Sequence, residues 1–136
     1  MSNARILCVD GNFFLHRAYH VAKAMKVRAV RMRKSLPGHI LSMVLKDTEF
    51  LEATHVVVAF DSPDGFRYKI YPDYKANRMQ VDINPNAGEV DYDRRMRKDE
   101  IYSFLKTVKR VLQYAGIKVV TVPEMEADDV MGALAN

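Results

Sequence analysis

Three short apolar runs, separated by stretches with helical periodicity, form the main pattern along the chain. The runs cover residues 6–9, 56–60 and 117–122, and their near-continuous apolar character is typical of buried parallel strands. The order β-α-α-β-loop-α-β-α therefore predicts an α/β fold with three layers and a mostly parallel central sheet. The final helical pattern stops at Asn136, so we expect the fold to be incomplete at its C-terminal end.

Asparagine, proline and glycine residues between the apolar patterns predict where the helices begin and end. Asn12 is suited to cap the first helix, Pro37-Gly38 to open the second, and Gly116 to end the third. The basic stretch 25–36 has no clear period and is predicted to be a mobile loop, and residues 62–92 to be a long functional loop. The helices are predicted over residues 12–24, 37–51 and 93–115 and from near Glu126.

Carboxylates occur where two of the predicted strands end and again after the third. Asp10 and Asp61 directly follow the first two apolar runs, and Glu124, Glu126, Asp128 and Asp129 lie within six residues of one another. Ligands of open α/β sheets bind at the carboxyl ends of the strands. Clustered acids repel one another, so neutralising Asp128 or Asp129 is expected to stabilise the metal-free protein. The pattern favours a site for a divalent cation.

Each of these acids also has a purely structural interpretation. Asp10 is suited to cap the first helix, Asp61 to form a turn before Ser62-Pro63, and the acidic run to start a helix whose dipole favours negative charge. Such roles account for one or two acids in the last segment but not for four.

Length and composition restrict the class of protein. A chain of 136 residues with 49% hydrophobic and 28% charged residues is expected to form a single globular domain. The sequence contains no signal peptide and no apolar run of about 20 residues, so a cytoplasmic protein without membrane contact is expected. The single Cys8 is expected to pack in the core.

Basic residues outnumber acidic ones away from the candidate site. Setting aside Asp10, Asp61, Glu126, Asp128 and Asp129 leaves 12 acidic residues against 21 lysines and arginines. Such an excess around an acidic pocket is typical of a protein that binds a polyanion, although a solvated basic surface is the simpler alternative. The basic candidates for phosphate contacts outside the loop are Arg31, Arg33, Lys34, Arg94 and Arg95.

The loop that follows Asp61 interleaves tyrosines with basic residues in the sequence FRYKIYPDYKANR, residues 66–78. Basic side chains contact phosphates, and an unpaired base can stack on a tyrosine ring. This combination is suited to single-stranded or frayed nucleic acid. Packing of the aromatic rings onto the core is the alternative, and it is expected for Phe66 and Ile70.

Three motifs in this order, LCVDGNFFLHRAYH, VVVAFDSPDGFRYKIYPDYKANR and PEMEADDVMGALA, closely resemble the structure-specific 5′-nuclease, or flap endonuclease, family. That family includes the 5′-3′ exonuclease domain of bacterial DNA polymerase I and its phage relatives. The resemblance covers about residues 5–136. It implies that residues 1–136 are the N-terminal part of a PIN-like exonuclease domain, with a basic and aromatic loop or arch over about 62–98.

The resemblance also implies an activity and a set of site residues. The activity is two-metal hydrolysis of phosphodiesters, with Mg²⁺ or Mn²⁺ as the ions, at DNA 5′ ends and flaps or in RNA primers. It would serve replication or repair in a bacterial cell or a phage-infected host. Motif by motif, the implied residues are Asp10, Asp61, Glu126, Asp128 and Asp129 as metal ligands, Lys75 and Arg67 as catalytic residues, Arg78 near the scissile phosphate, and Tyr74 as the stacking aromatic.

The chain departs from the family pattern in two ways. Glu124 stands where the family usually has glycine, two residues before the glutamate of EADD. The family's second aspartate group and its helix-hairpin-helix lie beyond the matched motifs, so the second of the two ions would have an incomplete site. The alternative function is a non-catalytic nucleic-acid-binding remnant, or one half of a split nuclease that needs a C-terminal partner chain.

Overall fold

A three-stranded parallel sheet forms the centre of the protein. The computed structural model describes residues 3–73 and 99–136. The strands are β1 (Ile6–Asp10), β2 (His55–Ala59) and β3 (Lys118–Val120), in the order β1-β2-β3. Asp10 pairs with Ala59, and Ala59 pairs with Val120 on its other side. The predicted parallel sheet is confirmed, although β3 is shorter than the 117–122 run.

Helices cover both faces of the sheet. Alternate residues of β2 point in opposite directions: Val58 belongs to the large core, and Ala59 packs with Ala127 and Val130 in a second cluster on the other face. The predicted three layers are therefore present. The helices are α1 (Gly11–Ala24), α2 (Ala29–Phe50), α3 (Phe66–Ile70), α4 (Leu105–Tyr114) and α5 (Ala127–Ala135).

Helix α2 begins eight residues before the position predicted from the sequence. The predicted mobile loop over 25–36 is wrong from residue 29 onward, because Met32, Leu36, Ile40 and Val44 form one buried stripe along α2. Pro37 lies inside the helix rather than at its start. A proline has no N–H to donate to the preceding turn, but Pro37 is buried, and burial of its apolar ring contributes to the stability of the longer helix.

Two other helix boundaries also differ from the prediction. Asp10, not Asn12, caps α1, and its carboxylate accepts a hydrogen bond from the Phe13 N–H at 2.9 Å. The helix predicted over 93–115 is interrupted by a turn at Phe104, between a helical segment over 99–103 and α4. Residues 93–98 lie outside the described part of the chain. No described helix is long and apolar enough to cross a membrane.

Glycine is required at position 11 because the Phe60 ring lies against it. A Cβ atom added to Gly11 would lie 2.5 Å from the Phe60 Cζ atom, far inside van der Waals contact. Phe60 is fully buried, so its ring has little room to move. This close approach brings the start of α1 against the end of β2.

We expect Gly11→Ala to lower the free energy of unfolding by about 1–3 kcal/mol, the usual cost of overpacking a core. Gly132→Ala is the matched control, because nothing lies within 4 Å of a Cβ atom at that position in α5. The control should be neutral or stabilising by up to about 1 kcal/mol. Urea unfolding measures both changes, and an equal effect of the two substitutions would contradict the assigned contact.

The segment at residues 99–104 is tied to α1 through a buried tyrosine. The fully buried Tyr19 donates its hydroxyl hydrogen to the Glu100 carboxylate, and Lys23 lies 3.2 Å from the same Glu100 oxygen. The Tyr19 hydrogen bond lowers the pKa of Glu100, and Lys23 and Arg33 lower it further. These contacts hold the segment 99–104 against α1.

Tyr19→Phe should lower the free energy of unfolding at neutral pH by about 1–2 kcal/mol, because it removes a hydrogen bond to a charged group. Since the folded-state pKa of Glu100 is lowered, this stabilisation is present above the unfolded pKa of about 4.3 and is lost as the pH falls through the folded value. Denaturation measured at pH 7 and pH 3 tests this, with the exposed Tyr114, changed to Phe, as control. A difference that stays constant with pH would contradict the assignment.

Candidate active site

The predicted acidic residues lie at the carboxyl edge of the sheet. Asp10 ends β1, Asp61 lies two residues after the end of β2, and residues 124–129 cover the end of the loop after β3 and the start of α5. Because the strands are parallel and in register, their carboxyl ends are adjacent. Helices α1 and α5 both begin at this edge, so their positive dipole ends face the acids.

Asp61 links the first helix to the last. Its backbone N–H donates to Asn12 Oδ1 at 3.3 Å, and its Oδ2 accepts from Asn12 Nδ2 at 3.2 Å. Its Oδ1 accepts from the Ala127 N–H at 2.8 Å. Residues at the starts of two helices therefore hold Asp61, through two hydrogen bonds to its carboxylate and one from its backbone N–H.

Asn12 holds Asp61 in the candidate site, a contact that the sequence interpretation missed. Apart from Tyr19 with its hydroxyl group, it is the one buried polar residue in the described part of the chain. Its amide supplies both a donor and an acceptor, as the pair of contacts with Asp61 requires. Its position two residues after Asp10 suggested a helix cap, and nothing in the local sequence shows that it faces a residue 49 positions away.

Asp10 is half-buried among other acids. Burial raises the pKa of its carboxyl group, and the charges of Asp61 and Asp128 raise it further, while the hydrogen bond from the Phe13 N–H lowers it. Asp61 and Asp128 are therefore close enough to repel Asp10. Bringing these oxygens together is unfavourable in the absence of a cation.

Arg67 of α3 lies against the other two predicted ligands. Its Nη1 donates to Asp129 Oδ2 at 2.7 Å and to Glu126 Oε2 at 3.2 Å, and its Nη2 donates to Asp129 Oδ1 at 2.5 Å. The Arg67 hydrogen bonds lower the pKa of Asp129. Glu126 and Asp129 also form a capping box, in which the Glu126 N–H donates to Asp129 Oδ2 at 3.1 Å.

Glu124 keeps the backbone conformation that glycine would favour at this turn. Its φ of 67° lies in the left-handed region, which costs a residue with a side chain roughly 1–2 kcal/mol. The turn is held in place because the Phe66 N–H donates to the Glu124 carbonyl at 2.6 Å and the Ser62 N–H donates to the Met125 carbonyl at 2.9 Å. The Glu124 side chain pairs with Lys69 rather than with the other acids.

The donor chemistry of the site fits a hard divalent cation, although its present arrangement is not that of a metal cage. Carboxylate oxygens are the ligands that Mg²⁺ and Mn²⁺ prefer, and the repulsion at Asp10 is of the kind that a cation would relieve. Across residues 3–73 and 99–136, no group of three or more His, Cys, Asp or Glu side chains is positioned to hold a metal ion. Two of the five predicted ligands, Glu126 and Asp129, are instead bound by Arg67.

The remaining predicted residues fall into two groups. Arg31, Arg33 and Lys34 are exposed on the N-terminal half of α2 rather than on a loop, and Arg33 is near enough to Glu100 to lower its pKa. The others lie outside the described residues, namely Tyr74, Lys75, Arg78, Arg94 and Arg95.

We expect Asp128→Asn and Asp129→Asn to change the stability of the metal-free protein in opposite directions. The sequence led us to expect a stabilising effect at both positions, but Asp129 is bound by Arg67 and takes part in the capping box. Asp129→Asn should cost about 1–2 kcal/mol, whereas Asp128→Asn should be neutral or stabilising because it removes a charge that repels Asp10. Thermal unfolding in EDTA decides this, and a loss at both positions would show that repulsion is not a significant term.

Comparison with known proteins supports the same fold and family. The family described as "5'-3' exonuclease, N-terminal resolvase-like domain" matches residues 5–136. A 5'-3' exonuclease of Buchnera aphidicola subsp. Baizongia pistaciae is 28% identical over 98% of this chain and 39% of its own length. The flap endonuclease Xni of Pseudoalteromonas translucida is 30% identical over 97% of this chain and 41% of its own length.

A larger relative and two solved structures extend the comparison. DNA polymerase I of Mycobacterium tuberculosis is 31% identical over 96% of this chain and 13% of its own length. The T5 D15 protein, co-crystallised with metal ions, superposes with a TM-score of 0.68 at 17% identity, over 96% of this chain and 42% of that protein. A complex of the T5 D15 flap endonuclease with DNA and metal ions gives 0.67 at 18% identity, over 96% and 43%.

The chain thus spans about two-fifths of the length of the exonuclease relatives. The parallel sheet with helices on both faces and the structural matches show the PIN-like fold. With the family match over residues 5–136, these findings establish that the chain belongs to the family of 5′-3′ exonuclease N-terminal resolvase-like domains.

Proposed function

We propose that this chain carries the first metal-binding half of a divalent-metal-dependent 5′-nuclease, which hydrolyses phosphodiesters at DNA 5′ ends and flaps or in RNA primers. The observation that carries the proposal is the position of Asp61. It is fixed by Asn12 and by the Ala127 N–H, and it lies near Asp10, whose pKa it raises. A carboxylate held this firmly among other acids is suited to bind a cation.

The residues proposed to hold Mg²⁺ or Mn²⁺ are Asp10, Asp61, Glu126, Asp128 and Asp129. A bound ion of this type supplies Lewis-acid stabilisation of the phosphate oxygens and activates water. The chain itself contributes the orientation of the ligands through Asn12 and the two helix N-termini. Arg67 and Lys75 are proposed to offset negative charge on the scissile phosphate, as preorganised cations do in phosphoryl chemistry.

Nucleic acid is the substrate class that the charge distribution favours. Arg31, Arg33 and Lys34 lie exposed on α2, and they are proposed to contact backbone phosphates together with Arg78, Arg94 and Arg95. Tyr74 is proposed to stack on an unpaired base at a flap or frayed end. The T5 D15 flap endonuclease, which shares the fold, has been crystallised with DNA.

A second group of carboxylates would be needed for a complete two-ion site, and we propose that it comes from a C-terminal segment or partner fragment. The relatives are more than twice as long as this chain, which leaves room for such a segment. The alternative of a non-catalytic nucleic-acid-binding remnant is not favoured, because the chain retains the predicted acids and its relatives are nucleases.

Cleavage of a 5′-labelled flap DNA tests the proposal. The 136-residue chain should cut the flap in Mn²⁺ more slowly than the roughly 1 per second typical of enzymes, and EDTA should abolish the cleavage. Asp61→Asn should reduce the rate by about 100-fold or more, since even the outer partners of metal ligands are worth roughly 10–100-fold.

Glu52→Gln is the matched control for Asp61→Asn. Glu52 is an exposed carboxylate that pairs with Arg5 just before β2, at the opposite edge of the sheet. Its replacement removes the same charge and should leave the rate unchanged. Cleavage that persists in EDTA, or that is equally affected by both substitutions, would show that the proposed metal centre is wrong. Salt-sensitive flap binding with no cleavage in Mn²⁺ would favour the binding-remnant alternative.

A further inference from the structure

The guanidinium group of Arg67 occupies the oxygens of two proposed metal ligands. It binds both oxygens of Asp129 and one oxygen of Glu126. About a third of the Arg67 side chain remains exposed, whereas Glu126 and Asp129 are less than a fifth exposed. The pairs are therefore better shielded from solvent than ordinary surface ion pairs, which contribute little.

We propose that Arg67 is an internal counter-ion that competes with the divalent cation for Glu126 and Asp129, so that cation binding releases its guanidinium group. This inference rests on the proposed function, in which these carboxylates bind the metal. In the absence of a cation, Arg67 offsets the negative charge of Glu126 and Asp129 at the start of α5. With the cation bound, Arg67 becomes available to the phosphate of the substrate.

Competition follows from the geometry of the shared oxygens. Asp129 Oδ2 already accepts hydrogen bonds from Arg67 Nη1 and from the Glu126 N–H, at 2.7 and 3.1 Å, and Asp129 Oδ1 accepts from Arg67 Nη2. A divalent cation on the same oxygens would need the lone pairs that the guanidinium now uses. It would also bring two positive groups together, which repel each other strongly in a partly buried site.

Release of the side chain does not require α3 to leave the body of the protein. The backbone around α3 is held separately, by the hydrogen bonds from Phe66 N–H to the Glu124 carbonyl and from Ser62 N–H to the Met125 carbonyl. Arg67 also has a second contact surface, since its guanidinium carbon lies 5.0 Å from the centre of the Phe66 ring. A rotation of one side chain is sufficient for the exchange.

Linkage makes the proposal measurable without any activity. If the cation weakens the Arg67 contacts, removal of Arg67 must strengthen cation binding by the same factor. Couplings of this kind are typically about 5- to 150-fold in affinity. The same substitution should destabilise the metal-free protein, because Glu126 and Asp129 lose their shared partner.

Lys69→Ala provides a matched control on the same helix. Lys69 pairs with Glu124, and both side chains are more than half exposed. Its replacement removes one positive charge from α3, as Arg67→Ala does, but leaves the oxygens of Glu126 and Asp129 untouched. Its effect on cation affinity should stay below about threefold, because solvent and salt screen an exposed charge.

The experiment is a calorimetric titration of the metal-free protein with Mn²⁺, for the wild type, Arg67→Ala, Arg67→Met and Lys69→Ala, with thermal unfolding in EDTA alongside. Arg67→Met keeps an unbranched apolar stem, so that a folding defect in Arg67→Ala does not decide the outcome. We expect both Arg67 variants to bind Mn²⁺ about 5- to 150-fold more tightly and to melt at lower temperature without metal.

Three outcomes would overturn the inference, and they differ in what they imply. If the Arg67 variants bind Mn²⁺ with the same affinity as the wild type, or more weakly, Arg67 does not compete with the ion. An equal gain in Mn²⁺ affinity in Lys69→Ala would show that the effect comes from removing any nearby positive charge. Absence of Mn²⁺ binding by the wild type and every variant would overturn the proposed metal centre as well, whereas the first two outcomes would leave that proposal intact.

Discussion

Electrostatic repulsion among carboxylates at the carboxyl edge of the sheet is the constraint on which the arrangement of the site depends. At Asp10, burial raises the pKa of the carboxyl group most, and the charges of Asp61 and Asp128 raise it further. The fold offsets this repulsion with backbone donors at the starts of α1 and α5 and with the guanidinium group of Arg67. Asp10, Asp61 and Asp129 each accept hydrogen bonds from donors directed at their carboxylates, which offset part of the cost of burying them.

The backbone geometry that brings these acids together begins with a close contact. Gly11 lies against the Phe60 ring, so the turn from β1 into α1 packs directly on the end of β2. This contact places Asn12 within hydrogen-bonding distance of Asp61. The Asp61 carboxylate then accepts from the first N–H of α5. The packing of Gly11 against Phe60 therefore helps to determine where the Asp61 carboxylate lies.

The sequence predicted the strands well and the helix boundaries less well. The apolar runs before Asp10 and Asp61 are unambiguous, and the parallel sheet follows from the helices between them. The start of α2 was misplaced because the basic residues around Arg31 obscured a buried stripe beginning at Met32, and because Pro37 is an uncommon residue inside a helix. The local sequence does not show that the stripe beginning at Met32 is buried against another part of the protein.

Some features of the candidate site could also be predicted from the sequence, and others could not. The positions of Asp10 and Asp61 directly after strands were enough to predict that both belong to the site, because parallel strands end at one edge of the sheet. The pairing of Asn12 with Asp61 and of Arg67 with Asp129 depends on contacts between residues 49 and 62 positions apart, which no local pattern encodes. The same long-range contacts explain why Asp129, expected to be a source of repulsion, is a stabilised anion in the metal-free protein.

The most direct test of the account is an anomalous-scattering measurement on crystals of this chain soaked in Mn²⁺, compared with crystals kept in EDTA. We predict one manganese peak in contact with carboxylate oxygens from Asp10, Asp61 and the segment 126–129, with the Arg67 guanidinium moved away from Asp129. In EDTA, Arg67 should keep its contacts with both Asp129 oxygens. A peak elsewhere, or no peak at a concentration that occupies known divalent sites, would contradict the assignment of these carboxylates as a metal centre.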